Sequence, residues 1–129
     1  MTFLKFDHIG IVVKDIDTAV ATYERNFDLK KNPDRGGDLP AMQMKNAFIP
    51  VGDVDLEFIQ ATSDTGPVAD FTKERGEGQF LLSIAVDDIQ AAVDHLRSLG
   101  FRAGNPNGGI AFVSMKSTNG VNLQLVQRS

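Results

Sequence analysis

The chain contains no cysteine, so neither a disulfide framework nor a thiolate metal site is open to it, and any metal must sit on nitrogen and oxygen donors. It has no stretch approaching the roughly 20 uncharged residues that span a bilayer. A Lys/Arg run is also missing: 13 basic residues against 17 acidic ones give a net charge of −4, spread evenly, which argues against a nucleic-acid partner. Histidine is scarce, with His8 and His95 the whole supply. Lys5, Asp7 and His8 interrupt the first apolar stretch, unlike the core of a secretory signal, and the cytoplasm is the expected location. With 129 residues and 42 % apolar content the chain can bury one core, so a single domain over residues 1–129 is expected.

What the sequence does have is a repeat. HIGIVVKDIDTAV (8–20) aligns without a gap on LLSIAVDDIQAAV (81–93), with Val, Asp, Ile, Ala and Val recurring at 13/86, 15/88, 16/89, 19/92 and 20/93. Further on, AFIP and LEFIQ (47–60) match AFVS and LQLVQ (111–127) when the second copy carries three extra residues near 117–120. The repeat divides the chain into a first module of about 1–62, a connector of about 63–77 and a second module of about 78–129.

Each module opens on a strand whose apolar residues alternate, Ile9, Ile11 and Val13 in one and Leu82, Ile84 and Val86 in the other. The alternate faces carry His8, Gly10 and Val12, or Leu81, Ser83 and Ala85. Asp15 and Asp88 suit helix N-caps. Ile16, Ala19, Val20, Tyr23 and Phe27 then recur at helical spacing, as do Ile89, Ala92, Val93, Leu96 and Leu99, with Gly100 as a stop. Three strands are expected after each helix, near 28–31, 43–50 and 54–60, and near 101–103, 109–115 and 122–127. The fold class is therefore α+β, with two β-α-β-β-β modules forming a cupped mixed sheet whose helices lie on the outer face. In the connector, Pro67 fits a first helical position and Gly76 a helix end. The stretch 32–41, with Pro33, Pro40 and Gly36-Gly37, reads as a loop and a candidate lid.

If the helices cover the outer face, the inner face presents four repeat-related positions: His8, Glu57, Leu81 and Gln124. Polar residues at all four would close a metal cup, but one here is leucine and one a neutral amide. A strand histidine in an apolar run is more often a core residue than a ligand, and Glu57 and Gln124 between apolar neighbours also fit the solvent side of a strand. His95 lies off the apolar stripe of its helix and is expected to face solvent.

FDHIGIVVKDIDTAVATY, FIPVGDVDLEFIQ, GPVADFTKERGEG, AVDDIQAAVDHLRSLGF and STNGVNLQL, taken in order, resemble the methylmalonyl-CoA epimerase branch of the vicinal oxygen chelate superfamily. Glyoxalase I and the bleomycin-resistance proteins belong to the same superfamily. The resemblance implies a cup of eight strands around a divalent metal such as Zn, Ni, Co or Mn. It places metal ligands at His8, Glu57 and Gln124, while the second histidine of a His-His pair falls on Leu81. A carboxylate acid/base opposite the last ligand falls on Lys45, making Lys45 and Gln124 the catalytic candidates.

These departures set the functional expectation. An amide at 124 takes no proton at neutral pH and leucine donates no lone pair, so metal binding should be weak. The first reading is a protein that binds a small organic or acyl ligand without a tightly bound metal, in a pocket lined by Lys45, Gln79, Leu81, Ser83, Asn122 and Gln124. The second is a divalent-metal-dependent isomerase or lyase with a non-standard ligand set, and the third a degenerate paralogue whose role is assembly. A homodimer is expected, with neither nucleic acid nor membrane as partner.

Overall fold

The computed structural model describes residues 1–128. Among these, the chain runs β1 (Phe3–Val12), α1 (Ile16–Phe27), β2 (Gly36–Leu39), a 3-10 turn (Pro40–Met42), β3 (Met44–Val51), β4 (Val54–Ala61), α2 (Pro67–Arg75), β5 (Gly78–Val86), α3 (Ile89–Ser98), β6 (Ile110–Val113) and β7 (Leu123–Gln127). The α+β class holds. Backbone proximity divides the chain into two compact units, Ile9–Phe80 and Met1–His8 with Leu81–Ser129. The boundary cuts β1, so the opening strand of the first module serves both. No helix among the described residues is long and apolar enough to cross a membrane.

In the Ile9–Phe80 unit the strand order is β2-β3-β4-β1, with β2/β3 and β3/β4 antiparallel. Helix α1 lays Ile16 and Val20, with Ala19 and Tyr23, on a core of Val13, Ala47, Ile49 and Phe58. The opposite side of the strands is apolar too, where Val12, Met44 and Ile59 meet Val68 of α2. Phe27, expected on the apolar stripe, is instead 61 % exposed. In the second unit the order is β1-β5-β7-β6, with β5/β7 parallel and β6/β7 antiparallel. There α3 packs Ile89, Ala92 and Val93 on Val86, Ala111, Val113 and Leu125.

Asp88 caps α3 by accepting from the Ala91 N–H. Asp15 occupies the same position before α1 but accepts from the Thr18 hydroxyl instead. Pro67 opens α2 and Gly76 ends it, while Gly100 follows α3 with φ 91°. Three expectations need correction. Residues 28–31 form no strand. The supposed lid contains β2, whose Gly36 is required because a Cβ there would lie 2.7 Å from the Asn46 carbonyl oxygen. The strand expected at 101–103 shrinks to one bridge, Ala103 to Val113, so seven strands rather than eight are present among the described residues.

One interaction repeats in both modules. The Ile16 N–H donates to Gln60 Oε1 at 2.9 Å, and the Ile89 N–H to Gln127 Oε1 at 3.0 Å. Gln60 is the penultimate residue of β4 and Gln127 the last of β7, and each satisfies an otherwise orphaned N–H at a helix start. Gln60→Ala and Gln127→Ala are each expected to lower stability by about 1 kcal/mol in urea unfolding, adding in the double variant because the sites are independent. Losses of a few tenths would show that the caps are dispensable.

Candidate functional site

Strand alternation assigns each candidate to a face. In the second unit Ile84, Val86, Leu123 and Leu125 join the α3 core, so Leu81, Ser83, Ala85 and Gln124 point to the other side. Ser83 stands opposite Gln124 across β5/β7 and Gln124 opposite Phe112 across β7/β6, forming a row. Ser83 is fully buried and Gln124 is 6 % exposed, yet among the described residues Ser83 Oγ and Gln124 Oε1 have no hydrogen-bond partner. Each such orphan costs about 1–3 kcal/mol, and in folded proteins it calls for a water or ligand. Leu81 is buried beside them and offers only hydrocarbon. Asn122 is half-buried and its carbonyl accepts from the Leu82 N–H. Gln79 is exposed near the start of β5, and His95 is exposed on α3 as expected.

His8 ends this unit's share of β1 and is buried next to Asp7. Its Nδ1 lies 2.7 Å from Asp7 Oδ2, and the same carboxylate accepts from Arg128 at 3.0 and 3.2 Å. Burial raises the Asp7 carboxyl, but hydrogen bonds and charge from Arg128 and His8 together hold it below its ordinary value. An ionised Asp7 only accepts, so His8 Nδ1 carries the proton and, in the neutral ring, Nε2 carries the lone pair. Histidines that coordinate metals or transfer protons are oriented in this way. Sequence reasoning passed over Asp7 and Arg128. The adjacency of Asp7 to His8 was the only available signal, since Arg128 is brought in by the fold.

In the Ile9–Phe80 unit Glu57 is buried on the side of β4 away from α1, and its Oε2 accepts from Asn46 Nδ2 at 2.8 Å. Phe48 pairs with Glu57 across β3/β4. Its ring lies 3.9 Å beneath the Arg35 guanidinium, which also pairs with Asp55. Lys45 is a correction. It pairs with Gln60 on the α1 side, where its charge acts on Asp15. Asn46, not Lys45, shares the side of Glu57, which removes the geometric basis for Lys45 as an acid/base opposite the ligand positions.

Among the described residues no three His, Cys, Asp or Glu side chains come together as a group able to hold an ion. Of the implied ligands, the second unit supplies only the imidazole of His8 and the neutral amide of Gln124, with Leu81 adding none. With Glu57, the implied set carries a single carboxylate, one imidazole and a neutral amide, a weaker match for a resident divalent cation than a full set of imidazole and carboxylate donors.

The Asp7 linkage has a definite sign. Because its folded pKa is depressed, its stabilisation is fully present above the ordinary value of 3.8 and is lost as the pH falls below it through the folded value. Asp7→Asn is therefore expected to lower the melting temperature at neutral pH and to flatten the acid limb of stability against pH. An unchanged acid limb would show that Asp7 does not titrate as this geometry requires.

A family model described as the glyoxalase/bleomycin resistance protein/dioxygenase superfamily matches residues 7–116. An uncharacterised protein of Bacillus subtilis (strain 168), YqjC, is 32 % identical over 95 % of this chain and 91 % of its own length. A hypothetical protein of Bacillus halodurans C-125 superposes with a TM-score of 0.89 at 29 % identity, over 97 % of this chain and 94 % of its own. Methylmalonyl-CoA epimerase from Mycobacterium tuberculosis shares the fold with a TM-score of 0.87 at 24 % identity, over 98 % of this chain and 89 % of its own. On the extent of the family match, the chain belongs to the glyoxalase/bleomycin resistance protein/dioxygenase superfamily.

Proposed function

We propose that the protein binds a small organic or acyl ligand on the face that carries Ser83 and Gln124, without depending on a tightly bound metal. The observation that carries this reading is the buried, unpartnered pair of Ser83 Oγ and Gln124 Oε1. A ligand bearing a hydroxyl or amide hydrogen satisfies the amide oxygen, and the serine hydroxyl can either donate or accept. His8, held by Asp7 with its Nδ1 protonated, is a further polar group for the ligand or for proton transfer. A metal-dependent isomerase is the second reading, favoured by the Asp7 to His8 Nδ1 contact, because metal-bound imidazoles are oriented in the same way. Pairing of two copies belongs to the same proposal and is supported by the exposure of Phe3, Leu4 and Phe6 on β1.

The test is metal analysis of protein purified without chelator, combined with thermal shift against propionyl-CoA and small 2-hydroxy and 2-oxo acids. Metal well below one ion per chain is expected, along with a ligand-induced rise in melting temperature that survives EDTA and is lost in Gln124→Leu. Light scattering of the same preparation should give a dimer of the 14.0 kDa chain. Stoichiometric metal with a chelator-sensitive shift would transfer the case to the isomerase reading. A two-carboxylate proton relay is missing, since Gln124 is an amide and Lys45 lies on the α1 side. In deuterated buffer the chain is thus expected to exchange the α-proton of methylmalonyl-CoA negligibly, with or without Co²⁺. Rapid metal-stimulated exchange, abolished by His8→Ala, would sink this reading.

A further inference from the structure

The Ile9–Phe80 unit carries a groove of about 530 Å³ between α1 and the start of β5, within the roughly 300–1,000 Å³ of small-molecule sites. It uses none of the residues of the Ser83–Gln124 face. Its floor is apolar, formed by Ile11, Val13 and Phe58, of which Phe58 is fully buried. Tyr23 lines it as well. The Tyr23 ring packs edge-on against Phe58 at 4.9 Å, and among the described residues its hydroxyl has no hydrogen-bond partner.

The internal repeat provides a built-in comparison. The floor residues Ile11 and Val13 have identical mates, Ile84 and Val86, but Thr18, Thr22 and Tyr23 of α1 correspond to Ala91, His95 and Leu96 of α3. Leu96 simply packs on the core of its unit. The first copy thus presents three hydroxyls along a helix flank that needs none of them for packing. Rim charges balance. Lys14 lines the groove with Asp15 and Glu77, and Lys45 adds a second positive charge acting on Asp15. Both carboxylates are already engaged, Glu77 by the Lys14 N–H and Asp15 by Thr18. An anion gains little here, whereas an uncharged acceptor can take the Tyr23 hydroxyl.

We propose that this groove is a second binding site, for a small neutral molecule with an apolar ring or branched body and one carbonyl-type acceptor that hydrogen-bonds to Tyr23. Tyr23 is the single tyrosine and the chain has no tryptophan, so intrinsic fluorescence reports on the groove directly. The probe is cyclohexyl acetate, with cyclohexanecarboxylate as its anionic counterpart, titrated into the full chain and followed by Tyr23 fluorescence and amide NMR shifts. Saturable shifts are expected at Thr18, Ala19, Tyr23 and Gly78, with the ester bound more tightly than the carboxylate. Tyr23→Phe keeps the ring contact and removes only the hydroxyl, and should weaken binding by about two- to tenfold. Thr22→Leu, which narrows the groove and removes only a hydroxyl bonded to the Thr18 carbonyl within α1, should weaken it while leaving the chain folded. Shifts confined to other surfaces, affinity unchanged in both folded variants, or tighter binding of the carboxylate would each overturn the proposal. Because no residue of the Ser83–Gln124 face enters this test, its failure is distinguishable from failure of ligand binding there.

Discussion

The arrangement depends on the two glutamine side chains that tie the last strand of each module to the start of its helix. Gln60 and Gln127 must point to the helix side to reach the Ile16 and Ile89 N–H groups. A strand has period two, so Glu57 and Gln124, three residues earlier, are committed to the other side. A slip of one residue would exchange the two sets and bury the caps' polar heads away from their donors. Backbone bonds hold the same register, from the Val13 N–H to the Ile59 carbonyl and from the Arg128 N–H to the Val86 carbonyl. The Arg128 bond also carries its guanidinium to Asp7, so the register of β7 contributes to the orientation of His8.

Within this shared frame the two copies have diverged on both faces. On the side away from α1 and α3, His8 and Glu57 correspond to Leu81 and Gln124, and the second copy carries neither ionisable group. On the helix side the polarity is reversed, with hydroxyls in the first copy and hydrocarbon or an exposed imidazole in the second. The charged residues retained inside are individually matched: Asp7 has Arg128 and His8, and Glu57 has Asn46. Burial of a charge is tolerated only with such partners. The orphaned atoms belong to neutral groups, for which burial is less unfavourable.

The repeat, the three helices and the central strands were legible because their periodicity and caps are strong. The errors have physical causes. The glycine pair at 36–37 reads as a loop, yet β2 needs a residue without a side chain where it closes on Asn46. The strand expected at 101–103 had no alternation to support it and survives as one bridge. Lys45 was misplaced because both sides of β3 are apolar, Ala47 and Ile49 packing under α1 and Met44 on the side of α2. Alternation along such a strand does not reveal which side a polar residue takes. Only the register Phe48 to Glu57 decides it, and register is a property of the pair rather than of either segment.

What an amide at position 124 does to the chemistry follows from the same burial. A carboxylate there would bring charge and basicity; the amide brings neither, but keeps an acceptor oxygen in a place where leucine would be cheaper by about 1–3 kcal/mol. Ser83, directly opposite, carries the same penalty in place of alanine, which occupies position 85 two residues along the strand. A folded chain that keeps two such atoms unpaired is less stable than its apolar equivalent, and the deficit is recovered only when something supplies the missing hydrogen bonds. Sites built around unpaired polar atoms discriminate sharply against analogues that lack the matching group. On the proposed reading, the face has exchanged the charge and metal chemistry of its superfamily for selectivity by hydrogen bonding.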